Sequence, residues 1–282
     1  MNKDSPVRKV LTASETREGA GVKLYRAFGY HDIPEFDPFL MLDDFRNESP
    51  SDYMKGFPWH PHRGIETVTY MLEGEIEHKD SMGNSGTVGA GAVQWMTAGS
   101  GIIHQEMPKP VDGKMGGFQL WVNLPRSEKF HPPRYQEISP DRIPEDIRDN
   151  GIRVRVIAGQ YGRVIGPVRE IIAEPEFLDV YVPPETRFYH QVRPGFTGTL
   201  YMIEGRGTIG FGDPVFLKNR SLVLLEQGAV LDISAGLKGC RFLWISGKPI
   251  GEPIAWGGPI VMNTQEEVET AFSEYQNGMF IR

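Results

Sequence analysis

Tyr70-Met71-Leu72-Glu73-Gly74 returns later in the chain as Tyr201-Met202-Ile203-Glu204-Gly205, and this repeat decides how the rest is read. Each copy is a short β-prone run closed by glycine. Each is followed, after a similar interval, by a second strand-like run ending in glycine: Val93 to Gly101 in the first half and Leu222 to Gly228 in the second. A repeat of this kind points to one β unit present twice, each copy burying its own core, in preference to a single large sandwich. Further runs such as 67–72, 117–124 and 152–158 are rich in β-branched and aromatic residues and are broken by Gly, Asn, Asp or Pro. That is the pattern of antiparallel strands joined by tight turns, so the expected class is all-β.

The polar stretch Ser139 to Asn150 carries two prolines and several acidic residues. It predicts a linker, with domains at 1–138 and 151–282 and residues 139–150 between them. One helix is expected near the end. Thr264-x-x-Glu267 is a capping box, and Val268, Ala271, Phe272 and Tyr275 recur at helical spacing before Gly278. Its apolar stripe is expected to pack on the second β unit.

The 282 residues are 39% hydrophobic and 24% charged, with 33 Gly and 22 Pro, which describes a folded, turn-rich protein rather than a disordered one. The formal charge of −7 leaves no basic field or stripe, and this disfavours direct nucleic-acid binding. Cys240 is the single cysteine, so neither an internal disulfide nor a zinc site built from several thiolates is possible, and a reducing compartment fits. The first residues lack the apolar core of a secretion signal, and no apolar stretch has the length of a membrane span. The expectation is a cytoplasmic protein with no membrane partner, the nucleus being open to it in a eukaryote.

Candidate chemistry sits in two short pairs. In Phe57-Pro-Trp-His60-Pro-His62 an extended backbone places the histidines, two residues apart, on one face. Gly101-Ile-Ile-His104-Gln-Glu106 has the same spacing, so on neighbouring strands the two pairs could converge on one ion. His-Pro-His alone also fits a polar turn; the second pair is what favours a metal. Three imidazoles and a carboxylate, without thiolate, suit Fe(II), Mn(II), Ni(II), Cu(II) or Zn(II) better than Ca or Mg. Four protein ligands on an ion that takes six leave positions for dioxygen or a chelating substrate. His31, His78, His131 and His190 lack such a setting and are read as surface or hydrogen-bonded residues.

The runs from His60 to Gly74, Gln94 to Pro108 and Gln119 to Leu124, with Gly258-Pro-Ile-Val-Met-Asn-Thr near the end, resemble the signature runs of the pirin family. The resemblance covers nearly the whole chain. It implies a bicupin, two antiparallel jelly-roll β-barrels with a short C-terminal helix, and one metal, Fe(II) foremost, in the N-terminal barrel. By resemblance the ligands fall on His60, His62, His104 and Glu106, while Glu66 is not a ligand and is left either to support the ligands from behind or to serve the structure. Aligning the repeat sets Gln191, Arg193, Leu231 and Ile233 where those ligands stand, so the second barrel is expected to be metal-free. Two activities are implied. One is a flavonol (quercetin) 2,3-dioxygenase that opens the heterocycle with dioxygen and releases carbon monoxide. In it Glu106 is the catalytic base for the 3-hydroxyl, and Phe57 and Trp59 are available to line an aromatic pocket. The other is an iron-dependent protein-interaction or transcription co-regulator module, with a protein partner and no turnover.

Overall fold

A computed structural model describes residues 6–109, 111, 113–210 and 214–281. It divides into two compact units. One comprises Ser14–Pro140 together with Ile250–Arg282, the other Met1–Ala13 together with Asp141–Pro249.

In the first unit a seven-stranded antiparallel sheet runs in the order Arg134–Ile138, Val93–Thr97, Ile65–Glu73, Gly116–Asn123, Phe39–Asp44, Val22–Phe28, Ser14–Glu18. A second sheet has the order Phe57–His62, Ile102–Lys109, Glu75–Asp80, Ser85–Gly89. The two make one jelly-roll barrel, and the chain crosses between them at the glycine of the repeat. Gly74 has φ 73°, and a Cβ there would lie 2.7 Å from the Lys114 carbonyl oxygen. In the second unit Gly205 has φ 70°, and its Cβ would meet the Gly239 carbonyl oxygen at 2.2 Å. The two copies keep glycine because each bend needs a left-handed residue against a neighbouring backbone.

The second unit is a nine-stranded sheet built around two long strands, Thr197–Ile209 and Val230–Gly247, with register shifts beside Gly205 that turn the sheet. Its core holds Trp244, Phe242, Phe188 and Leu178. Both units are cupin-like, and strands dominate, as the all-β reading expected.

Three expectations need correction. Residues 139–150 are not a free linker: Glu145–Ile147 pairs with Arg153–Ala158 at an edge of the nine-stranded sheet. An edge strand bonds on one side only and tolerates polar side chains, which is why its composition read as a connector. Secondly, the chain ends depart from the boundaries 1–138 and 151–282. Val7–Thr12 pairs with Ser221–Leu225 in the second unit, and the last 33 residues, from Ile250, belong to the first. Thirdly, the helix Gln265–Gln276 does not pack on the second barrel. Val268 and Ala271 bury against Ile260, Met262 and Phe280, with Ile103 of the first unit at the margin. The expected cap is present, with Thr264 Oγ1 accepting from the Glu267 amide at 3.2 Å and the Glu267 carboxylate accepting from the Thr264 amide at 3.0 Å. Among the described residues no helix is long and apolar enough to cross a membrane.

Candidate metal centre

Strands Phe57–His62 and Ile102–Lys109 are antiparallel neighbours, with His60 opposite His104 and His62 opposite Ile102. This register sets three rings on one face, with centroids 4.8 Å apart for His60 and His62, 4.5 Å for His60 and His104, and 5.1 Å for His62 and His104. One nitrogen from each lies within 4.8 Å of the others, a group able to hold a metal ion. Beyond His104 the register shifts, because the two steps from His104 to Glu106 stand against three from His60 to Phe57; the bulge is in the first strand, and His104 and Glu106 keep regular alternation.

The tautomers follow from the carbonyls. His60 Nδ1 lies 2.8 Å from the Pro58 oxygen, and His62 Nδ1 lies 3.1 Å from the Pro259 oxygen. A carbonyl can only accept, so each Nδ1 carries a hydrogen, and in the neutral ring Nε2 then presents a lone pair. Those two Nε2 atoms face each other at 3.0 Å. With both rings neutral, two lone pairs at that distance repel, and a shared cation relieves the repulsion. His104 is 1% exposed, and neither of its ring nitrogens has a hydrogen-bond partner. Leaving such atoms dry and unpaired costs about 1–3 kcal/mol. Burial, and then the neighbouring histidines, push His62 and His104 well below the ordinary imidazole range, so both are neutral, the form that binds metals. The residues therefore fit a metal ion.

Glu106 is buried in the wall of the same cavity, outside the tight histidine group. Gln119 Nε2 donates to its Oε2 at 3.2 Å, and the Thr69 hydroxyl is 3.4 Å from Oε1. The Gln119 amide is itself oriented, because its oxygen accepts from the Trp121 indole at 3.3 Å. Glu66 accepts from the Thr97 hydroxyl at 2.7 Å, a buried structural contact. His78 and His190 pair with Glu137 and Glu176 at 2.8 and 3.0 Å.

His60 and His62 open on a cavity of about 670 Å³ walled by Tyr30, Phe57, Trp59, Trp121 and Trp256, with Arg26 and Asp43 also in its lining. Trp121 meets His62 edge-on at 5.1 Å and Trp256 at 5.8 Å. Phe57 and Trp59 thus do line an aromatic cavity. Gln119, Trp121, Tyr30, Trp256 and the Pro259 carbonyl were not foreseen. Gln119 and Trp121 had a signal in their two-residue spacing on a strand; a backbone carbonyl has none.

In the second unit the pairing puts His190 opposite Leu231 and Phe188 opposite Ile233. Phe188 is buried and His190 partly so, while Gln191 is exposed. The counterparts of the histidine pair are therefore His190, opposite Leu231 as His60 is opposite His104, and the buried Val192, one residue out of step with the expected Gln191 and Arg193. The interval between strand and repeat differs by one residue in the two units, and a slip of one inverts the faces.

Two jelly-roll barrels, one carrying a three-histidine cluster above an aromatic cavity, define a two-barrel cupin protein. Two family profiles match, Pirin over residues 21–122 and the Pirin C-terminal cupin domain over residues 177–281. The chain belongs to the pirin family. It is 44% identical over 276 residues to a pirin-like protein of Caulobacter vibrioides, covering 98% of this chain and 99% of that one. It is 43% identical over 283 residues, 99% of each, to a Pseudomonas aeruginosa protein that carries the provisional name quercetin 2,3-dioxygenase. A crystal structure described as quercetin 2,3-dioxygenase from Acinetobacter baumannii superposes with a TM-score of 0.89 at 32% identity over 97% of both chains. The Escherichia coli pirin YhhW in complex with nickel(II) shares the fold, with a TM-score of 0.65 at 21% identity over 86% of this chain and 99% of that one.

Proposed function

We propose that the protein is a metal-dependent flavonol dioxygenase that cleaves quercetin with dioxygen and releases carbon monoxide. One metal ion, Fe(II) foremost, would be held by His60, His62, His104 and Glu106. The observation that carries the reading is the group of three clustered imidazoles beside an aromatic cavity with a carboxylate in its wall. Relatives with dioxygenase names support it.

Bound there, the ion would supply Lewis acidity toward the substrate's oxygens and a site for dioxygen. The chain's own residues do the rest. Trp59, Trp121 and Trp256 offer flat faces to a fused-ring substrate and exclude water from it. Glu106 accepts the 3-hydroxyl proton at its carboxylate, and Gln119, donating to Oε2, fixes the carboxylate's orientation for that transfer. The second barrel contributes no ligand in this reading.

The test is turnover of quercetin by protein loaded in turn with Fe(II), Mn(II), Ni(II) and Cu(II), with carbon monoxide, oxygen uptake and metal content measured together. Release of one carbon monoxide per quercetin consumed is expected. Fully loaded protein that consumes no quercetin with any of the four rejects the activity.

A further inference from the structure

The strand that carries His60 and His62 runs directly into Arg63-Gly64, and both residues are gripped by the C-terminal tail of the same unit. Val261 donates its amide to the Arg63 carbonyl at 3.1 Å, and Arg63 forms a parallel bridge with Ile260. Arg63 is 1% exposed. Its guanidinium donates to the Ser100 carbonyl at 2.6 Å, to Glu274 at 2.6 Å and to the Phe280 carbonyl at 2.7 Å, and it lies 4.2 Å over the Phe280 ring. Lys129 is equally buried. Its three ammonium hydrogens match three acceptors, the Gly64 oxygen at 2.9 Å, the Val261 oxygen at 2.9 Å and Asn123 Oδ1 at 2.6 Å. Gly64 has no room for a side chain, since a Cβ would lie 2.0 Å from the Val261 oxygen.

Burial pushes the pKa of the Lys129 ammonium down to about 7, so keeping it there is costly even with three well-placed acceptors. Here it joins the residue two after His62 to the residue two after Pro259, and the Pro259 carbonyl sets the His62 ring. We propose that Lys129 is a positioning residue for the metal centre. By clamping Val261 to Gly64 it holds the Pro259 carbonyl against His62 Nδ1, which keeps Nε2 turned toward His60 and His104. The C-terminal tail is then a working part of the centre rather than an appendage. The inference rests on the reading of His62 as a ligand.

Groups that orient a metal-bound histidine are worth roughly 10–100-fold in metal affinity. The test uses the full chain and Co(II) as probe, with two readouts taken on metal-free protein: amide exchange at Val261, and the ring-nitrogen protonation pattern of His62 by nitrogen NMR. Lys129→Met is expected to expose the Val261 amide, mix the His62 tautomers and weaken Co(II) binding about 10-fold or more. Arg187→Ala, which breaks an ion pair with Asp232 in the other unit, should change none of these. Lys129→Met with Val261 still protected, or with Val261 freed and Co(II) affinity unchanged, overturns the proposal. His62→Ala binding Co(II) as tightly as the parent rejects the ligand reading itself, and that result is distinct because the metal-free readouts of Lys129→Met stand apart from it. If Lys129→Met does not fold, Glu274→Gln loosens only the Arg63 grip. It should then weaken Co(II) binding about 3-fold with raised exchange around Phe280, since it removes one of several anchors; raised exchange with unchanged affinity counts against the proposal.

Discussion

Replacing His104 by leucine should invert the order of stabilities with and without metal. His104 is 1% exposed with both ring nitrogens unpaired, so the metal-free parent carries the cost of a dry imidazole, about 1–3 kcal/mol. Leucine is close to histidine in volume and brings no polar atom, and some of the relief is lost to imperfect packing. His104→Leu is therefore expected to be more stable than the metal-free parent by ~1 kcal/mol, or a Tm higher by roughly 2–4 °C. With metal at one hundred times its dissociation constant, binding to the folded state alone adds about 2.7 kcal/mol to the parent. The variant keeps two histidines and gains little, so the parent should then be the more stable by ~1–2 kcal/mol. Thermal scans of both proteins, stripped and with excess Ni(II), measure the two differences. A stripped variant several kcal/mol less stable than the stripped parent would refute the reasoning, because it would make His104 an ordinary packed histidine with hydrogen bonds of its own.

Glu106→Gln should separate binding from turnover: the amide keeps a neutral oxygen for Gln119, so most metal is retained, while loss of the base costs about 100-fold or more in rate. Quercetin consumption by the fully loaded variant, below the flavonol's own ionisation, checks this, and a parental rate would leave Glu106 without a catalytic role. Glu176 has opposing influences: burial raises its carboxyl, but the His190 hydrogen bond and charge, the Trp244 indole and Arg193 together lower it overall. A folded value below the unfolded one means stability present above the ordinary glutamate range and lost as pH falls through the folded value. Denaturant midpoints between roughly pH 5 and 3 should accordingly fall more steeply for the parent than for Glu176→Gln; parallel curves would contradict the assignment. Gly205→Ala should destabilise the second unit by at least ~1–2 kcal/mol, from a left-handed φ of 70° and a Cβ 2.2 Å from a carbonyl oxygen, and an unchanged urea midpoint would argue against the role given to the repeat's glycine.

The sequence by itself determined what depends on near neighbours. Two-residue spacing set His60 beside His62, glycine closed each copy of the repeat at a bend, and Thr264 with Glu267 marked the helix start, because strand alternation and capping are local properties of the backbone. The family resemblance carried the two-barrel fold. Tertiary structure alone decided where the chain ends go. Val7–Thr12 and the segment from Ile250 each join the unit formed by the opposite half of the chain, and strand pairing by backbone hydrogen bonds leaves little mark on composition. It also decided the face shown by His190, since a slip of one residue cannot be seen in an alignment of short runs. The orientation of His62 belongs to the same class. It rests on the carbonyl of Pro259, 197 residues away, and on Lys129, whose ammonium finds its three acceptors only when Gly64, Asn123 and Val261 are brought together. Every residue carries a carbonyl, so its use as an anchor is invisible until the chain has folded around it.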